Sequence, residues 1–245
     1  CRGVQPYFGR IASMNDIAFC DVAYKFHYAD YPVLSGATFR LDEAVNTLCA
    51  DKQSGKSTVC RILIGDMKAQ SGNILLGDLP INSITPVERG ILYLSSDYPL
   101  FKHKTVADNV EYPLVVRKVA RAERGKIVEQ ALRSVGAAEL AKVKVSKLTE
   151  EQIRLVVLAR GLTVQRKIVL FDDFFDYGKS AQTDFDSYDV QQVLGLFPDA
   201  TKVVCTSDSR LLVGKTAVLD GGTFHVLRDG KDVAVDVMRG VMPSS

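Results

Sequence analysis

The chain has 245 residues, 47% of them apolar and 24% charged, which is the length and composition of one large α/β domain or two small ones. A net charge of +2 offers no electrostatic argument for a nucleic-acid or acidic-surface partner. The apolar runs are short and broken by charge, far from the roughly 18–20 residues of a membrane span, so any membrane role must be borrowed from another chain.

Cys1, Cys20, Cys49, Cys60 and Cys205 are odd in number and lack CxxC spacing. They read as reduced core residues of a cytosolic protein. The chain opens on Cys1-Arg2-Gly3 without an initiator Met, so a removed leader or a start at Met14 fits equally. Strand-like runs occupy 17–26, 36–41 and 45–50. A loop follows, then a helical run from Lys56 to Ile64. Short strands are expected at 72–78 and 91–94. From about 105 to 162 the pattern turns helical: residues 121–135 place Ile127, Val128, Ala131, Leu132 and Val135 on one face, and 150–162 repeats that logic. Strand character returns at 167–171, 201–205, 216–219 and 223–227. The segment 229–245 has alternating valines and suggests an edge strand without a function. The whole reads as an α/β core interrupted by a helical insertion.

The run Ala50-Asp51-Lys52-Gln53-Ser54-Gly55-Lys56-Ser57-Thr58 lies between an apolar strand and a helix. Strand, loop and helix in that order are what a phosphate-binding loop needs. Backbone N–H groups at the helix start would cradle phosphates. Lys56 would reach the β- and γ-phosphates, and the Ser57 hydroxyl would meet Mg²⁺. The alternative is a polar turn that contains Gly-Lys-Ser by chance. Two departures stand out: the full pattern wants glycine at 50, where this chain has Ala50, and Gln53 adds a second bulky residue.

Residues 167–171 lead into Asp172-Asp173. At the end of a buried strand, Asp172 suits the acid that holds Mg²⁺ and Asp173 the acid that orients or deprotonates water. A solvated acidic turn is the bland alternative.

The order of these pieces resembles the ATP-binding cassette (ABC) nucleotide-binding domains of transporters, from about residue 17 to 227. Val22-Ala23-Tyr24-Lys25-Phe26-His27-Tyr28 and Val33-Leu34-Ser35-Gly36 look like that family's first hairpin. Its adenine-stacking aromatic would be Phe26 or Tyr28, with core packing the alternative. Residues 92–101 match the segment entering the helical region. Leu148-Thr149-Glu150-Glu151-Gln152 matches the signature, and Thr206-Ser207-Asp208 the switch-histidine segment. The resemblance implies a single P-loop NTPase domain over 1–245: a RecA-like α/β core with an antiparallel β subdomain at 17–95 and 163–228, plus an inserted helical subdomain at 96–162. It also implies ATP and Mg²⁺ as ligands.

The departures matter as much as the matches. The Q-loop glutamine, a Mg²⁺ contact, is Ser96; the catalytic glutamate is Asp173 and the proline after it Phe174; the switch histidine is Ser207; and the D-loop aspartate is expected at about Lys179, which is not an acid. The signature's two glycines are Glu150 and Glu151, which set bulk and negative charge where a polyanion docks. Asp173 is one methylene short, and about 1 Å of misplacement costs on the order of 100-fold in rate. The resemblance implies a head-to-tail pair with a second, identical or homologous, nucleotide-binding subunit. In such a pair neither composite site is whole.

The leading expectation is therefore a degenerate ATP-binding subunit on the cytoplasmic face of a separate membrane-spanning permease, with hydrolysis weak or absent. The permease would be gripped through Tyr98-Pro99-Leu100-Phe101 and Tyr112-Pro113-Leu114-Val115-Val116, for which internal packing is the equal alternative. A non-catalytic scaffold on the same fold and a slow genuine ATPase are the competing readings.

Overall fold

The computed structural model describes residues 16–51, 54–95, 100–175, 187–220 and 222–227. The strands are β1 (Ile17–Tyr24), β2 (Leu34–Leu41), β3 (Val45–Cys49), β4 (Ser71–Leu76), β5 (Leu79–Pro80), β6 (Ile91–Ser95), β7 (Ile168–Asp172), β8 (Thr201–Thr206), β9 (Lys215–Asp220) and β10 (Thr223–Leu227). The α-helices are α1 (Lys56–Ile64), α2 (Pro86–Arg89), α3 (Val106–Val116), α4 (Arg121–Ser134), α5 (Glu150–Leu162) and α6 (Ser187–Gly195).

Two sheets result. One is antiparallel, in the order β2-β1-β4-β5; the other runs β10-β9-β3-β8-β7-β6. In the second, β3, β6, β7, β8 and β9 are mutually parallel and β10 is an antiparallel edge. A parallel sheet buries both faces, and β7 and β8 accordingly read as unbroken buried runs. Alternation divides them: Ile168 and Leu170 pack with α1 and the antiparallel sheet, while Val169 and Phe171 pack with α5 on the other side. By the same period-two rule Asp172 emerges on the α1 face.

The helical region has its own core, in which Val106, Val110 and Leu114 of α3 meet Val128 and Leu132 of α4 and Val156 of α5. Asn109, fully buried in α3, binds the backbone N–H and C=O of Phe101 and so fixes the entry to this region.

Three elements went unread in the sequence. These are β5, the four-residue α2 and α6. One expectation is corrected. Cys49, Cys60 and Cys205 are buried thiols, as a reduced core requires, but Cys20 is disulfide-bonded. Cys1 and the 229–245 segment lie outside the described residues.

Candidate functional site

The C-terminal ends of β3, β8 and β7 stand side by side, with Cys49 opposite Thr206 and Cys205 opposite Asp172. In a doubly covered parallel sheet this edge is where ligands bind. The Ala50 N–H donates to the Thr206 carbonyl across it, at 3.2 Å. Ala50 is buried and is absent from the positive-φ residues Asp21, Lys118, Gln165 and Asp173, so its methyl fits where glycine was expected. Beyond it, the Ser54 N–H donates to the Asp51 carbonyl at 3.2 Å, turning the chain. Lys52 and Gln53, between them, lie outside the described residues.

Gly55 ends the turn at φ 102° and ψ 9°, in left-handed space. A Cβ there would collide with Val33 Cγ1, so glycine is needed on conformational and steric grounds alike. The same contact lays the β1–β2 connection against the loop. Gly55 offers no side-chain cap to α1, whose first turn carries no acid. An α-helix leaves its first N–H groups without intrahelical acceptors and its N-terminus partly positive. The start of α1 is thus suited to an anion.

Lys56, only 4% exposed, lies in that first turn. Its Nζ donates to the carbonyls of Ala50 at 3.0 Å and Asp51 at 3.1 Å, and is 3.9 Å from Asp173 Oδ1. A buried ammonium is tolerated because these acceptors meet it. Thr58 points into the core, while Ser57 is exposed. The Ser57 hydroxyl donates to Asp172 Oδ1 at 3.2 Å. This brings the loop's hydroxyl and the strand's carboxylate together across 115 residues of chain. Hydroxyl and carboxylate oxygens are the donors a hard divalent cation takes, so the pair fits Mg²⁺.

Tyr93 was missed in the sequence. Its phenol donates to Asp172 Oδ2 at 2.6 Å. Burial pushes the phenol well above its ordinary pKa, with the Asp172 hydrogen bond adding to the rise, so it stays protonated. Beneath the carboxylates, Cys60 Sγ and Cys205 Sγ lie 3.2 Å apart. The hydrogen bond to Cys205 raises the Cys60 thiol far above its usual pKa, and burial raises it further, which makes Cys60 a poor nucleophile.

Asp173 has φ 47°, uncommon outside glycine but tolerated by aspartate. Its N–H donates to the Cys205 carbonyl at 3.0 Å, and its side chain is 41% exposed. Ser207 follows β8 directly and is half-buried. Asp208 behind it accepts from Arg210 Nη2 at 2.8 Å. Ser96 and Lys179 lie outside the described residues.

Phe26 and Tyr28 stack on each other, with centroids 5.2 Å apart and planes 20° from parallel. Tyr28 is the outer ring, 74% exposed, and Phe26 is half-buried against Tyr24. An exposed face on a supported ring is a base-stacking platform.

The signature segment forms the start of α5. Thr149 is its N-cap and closes a capping box: Thr149 Oγ1 accepts from the Gln152 N–H at 3.3 Å, and Gln152 Oε1 accepts from the Thr149 N–H at 3.1 Å. Glu150 and Glu151 fill the first turn and are exposed, where they complement the helix dipole. Leu148 packs on the helical core. The two helix starts therefore differ: α1 has no side-chain cap and no acid in its first turn, and α5 has a capping box and two acids.

On the helical surface, Phe101 and Tyr112 meet edge-on at 4.8 Å, with the Arg160 guanidinium 5.6 Å and 5.5 Å from their centroids. Tyr112, Val115 and Val116 are exposed, but Leu114 is core, which removes it from the expected contact patch. Tyr98 and Pro99 lie outside the described residues.

Residues 52–176 match the sequence model of the ABC transporter family. Two solved structures share the fold. A crystal structure of MJ1267, an ATP-binding cassette of an ABC transporter, in its ADP conformation is 17% identical, with TM-score 0.71 over 93% of this chain and 96% of that one. A second structure of the same cassette is 19% identical, with TM-score 0.75 over 94% of this chain and 98% of that one.

Proposed function

The chain belongs to the ABC transporter family, and from that premise we propose that it is a degenerate ATP-binding subunit, one that holds Mg-ATP while hydrolysing it weakly or not at all. The observation that carries this reading is the contrast between the two helix starts. The start of α1 is uncapped, free of acid and flanked by Lys56, Ser57 and Asp172. The start of α5 is closed by Thr149 and Gln152 and carries Glu150 and Glu151. The first supports phosphate binding. The second works against docking on a phosphate held by another subunit, because two carboxylates repel a polyanion and the capping box already takes the Gln152 N–H.

In this reading Lys56 and the α1 N–H groups bind the β- and γ-phosphates, Ser57 and Asp172 hold Mg²⁺, and Tyr28 on Phe26 stacks on adenine. Bound Mg²⁺ supplies charge neutralisation between the phosphates. Asp173 stands where water would be oriented but is a methylene short, and Ser207 offers a hydroxyl in place of an imidazole. The α/β core (17–95 and 163–228) and the helical part (96–162) act as one domain. Phe101, Tyr112, Val115 and Val116 form an apolar surface for a separate membrane permease, on the cytoplasmic face of the membrane. No helix among the described residues is long and apolar enough to cross a membrane itself. A second nucleotide-binding subunit completes the assembly.

Calorimetry with Mg-ATP tests the core of this. Wild type should bind, and Lys56→Ala should bind at least about tenfold more weakly, the scale of a lost charged hydrogen bond. Phosphate release by the two proteins should be equal. Wild type that fails to bind overturns the reading; turnover that collapses in Lys56→Ala replaces it with a slow genuine ATPase.

A further inference from the structure

Asp172 is held from two sides. Oδ1 faces the Ser57 hydroxyl and Oδ2 accepts from Tyr93. The register explains how: β6 pairs with β7 so that Tyr93 lies opposite Leu170 and Ser95 opposite Asp172. Tyr93 and Asp172 therefore share the α1 face, two steps apart, and the phenol reaches diagonally up the sheet to the carboxylate.

The terminal torsion of an aspartate is broad, so its carboxylate turns freely unless something holds it. Ser57 at 3.2 Å holds it weakly. Tyr93 at 2.6 Å is a short, charge-assisted bond and the stronger restraint. The hydroxyl is not there for packing. Ile91 and Tyr93 lie against the same apolar cluster, and phenylalanine would fill that space without a polar group to satisfy.

We propose that Tyr93 is a positioning residue, which clamps Oδ2 of Asp172 so that Oδ1 is presented, beside Ser57, to the divalent cation that accompanies a bound nucleotide. The inference rests on the nucleotide-binding reading above. Tyr93 does not touch the cation or the phosphates; it acts through Asp172.

The test is Tyr93→Phe, with ATP binding measured by calorimetry in Mg²⁺ and in a chelator. Phenylalanine keeps the ring, and thermal denaturation checks that the fold is kept. Mg-ATP affinity should fall about tenfold, the scale of one hydrogen bond to a charged group. Affinity for metal-free ATP should stay unchanged. In an Asp172→Asn background, which removes the charged partner, Tyr93→Phe should add no further loss in Mg²⁺. Equal loss with and without Mg²⁺ would make Tyr93 a purely structural residue and overturn the proposal, as would undiminished Mg-ATP binding. Wild type that binds ATP under neither condition would bring down the nucleotide reading and this inference together, an outcome distinct from the other two.

Discussion

Restoring the signature in this chain should cost stability before it does anything for function. The perturbation is Thr149→Ser/Glu150→Gly/Glu151→Gly. Serine caps a helix about as well as threonine, so the first change is close to neutral. Each glutamate in the first turn of α5 is worth about 0.3–1 kcal/mol against the helix dipole. Each glycine loses up to about 0.5–1 kcal/mol of helix propensity, less at a helix start than in its interior. The sum is about 2 kcal/mol. For a domain of this size a kilocalorie moves the thermal midpoint by about 2–4 °C, so the triple variant should melt about 4–8 °C lower. Circular dichroism reads this directly. The part due to the dipole should shrink in about 0.5 M salt, because exposed charges are screened. In return, two carboxylates leave the path of a docking phosphate. At about 4 Å each unit charge pair costs roughly 1 kcal/mol in water, so nucleotide-dependent association should tighten by about tenfold or more. Sedimentation velocity with Mg-ATP measures that. A midpoint that stays level or rises would refute the claim that Glu150 and Glu151 stabilise the start of α5. A lower midpoint with no gain in association would refute the claim that the acids oppose docking.

Arg89 is buried, and its guanidinium donates to the carbonyls of Ile62 and Leu63 at the end of α1, both at 2.7 Å, and to that of Ile84 at 2.9 Å. Burial lowers its pKa, yet arginine stays charged, so Arg89→Met strands these acceptors; it should cost about 3 kcal/mol and lower the midpoint by about 6–12 °C in thermal denaturation. Asp108 accepts from the Thr105 hydroxyl at 2.6 Å, and from the Thr105 N–H, at the start of α3, which holds its carboxyl below the usual range. A depressed carboxyl contributes stability above the unfolded pKa of about 4 and loses it as pH falls through the folded value. Asp108→Asn should therefore be less stable at neutral pH and show a shallower decline below about pH 4; Asp108 is exposed, so the difference is well under 1 kcal/mol, resolved by paired melts across pH.

Both helix starts on which the proposed function rests were legible in the sequence. Lys56–Ile64 and Glu150–Leu162 begin where a glycine and a threonine announce them. Local signals of this kind lie within a few residues of each other. The partners of Asp172 were legible only in half. Ser57 was found because the loop and the acidic strand end each carry their own pattern. Tyr93 was not, because residues 91–94 read as an apolar strand, and the phenol meets its acid 79 residues away. The α2 turn carried a start signal too, Thr85 with Glu88 three positions on, but Pro86-Val87-Glu88-Arg89 is too short to show a periodicity that would confirm it. Asn109 hid in the same way, as a polar position in a helix whose side chain turns back to Phe101.

A single physical quantity, the unsatisfied backbone at a helix N-terminus, separates the phosphate loop from the signature segment in the proposed reading. At α1 the quantity is preserved by subtraction: Gly55 brings no cap, the first turn brings no acid, and Lys56 adds positive charge beside the N–H groups. At α5 it is consumed by addition: Thr149 takes one N–H, Gln152 returns to the cap, and two glutamates neutralise the dipole. What opposes docking at α5 in this reading is also a gain in helix stability. In the proposed reading, a closed signature and an open phosphate loop are opposite uses of the same local chemistry. As proposed, the subunit therefore holds nucleotide through its own loop and contributes little to a phosphate bound by a neighbour.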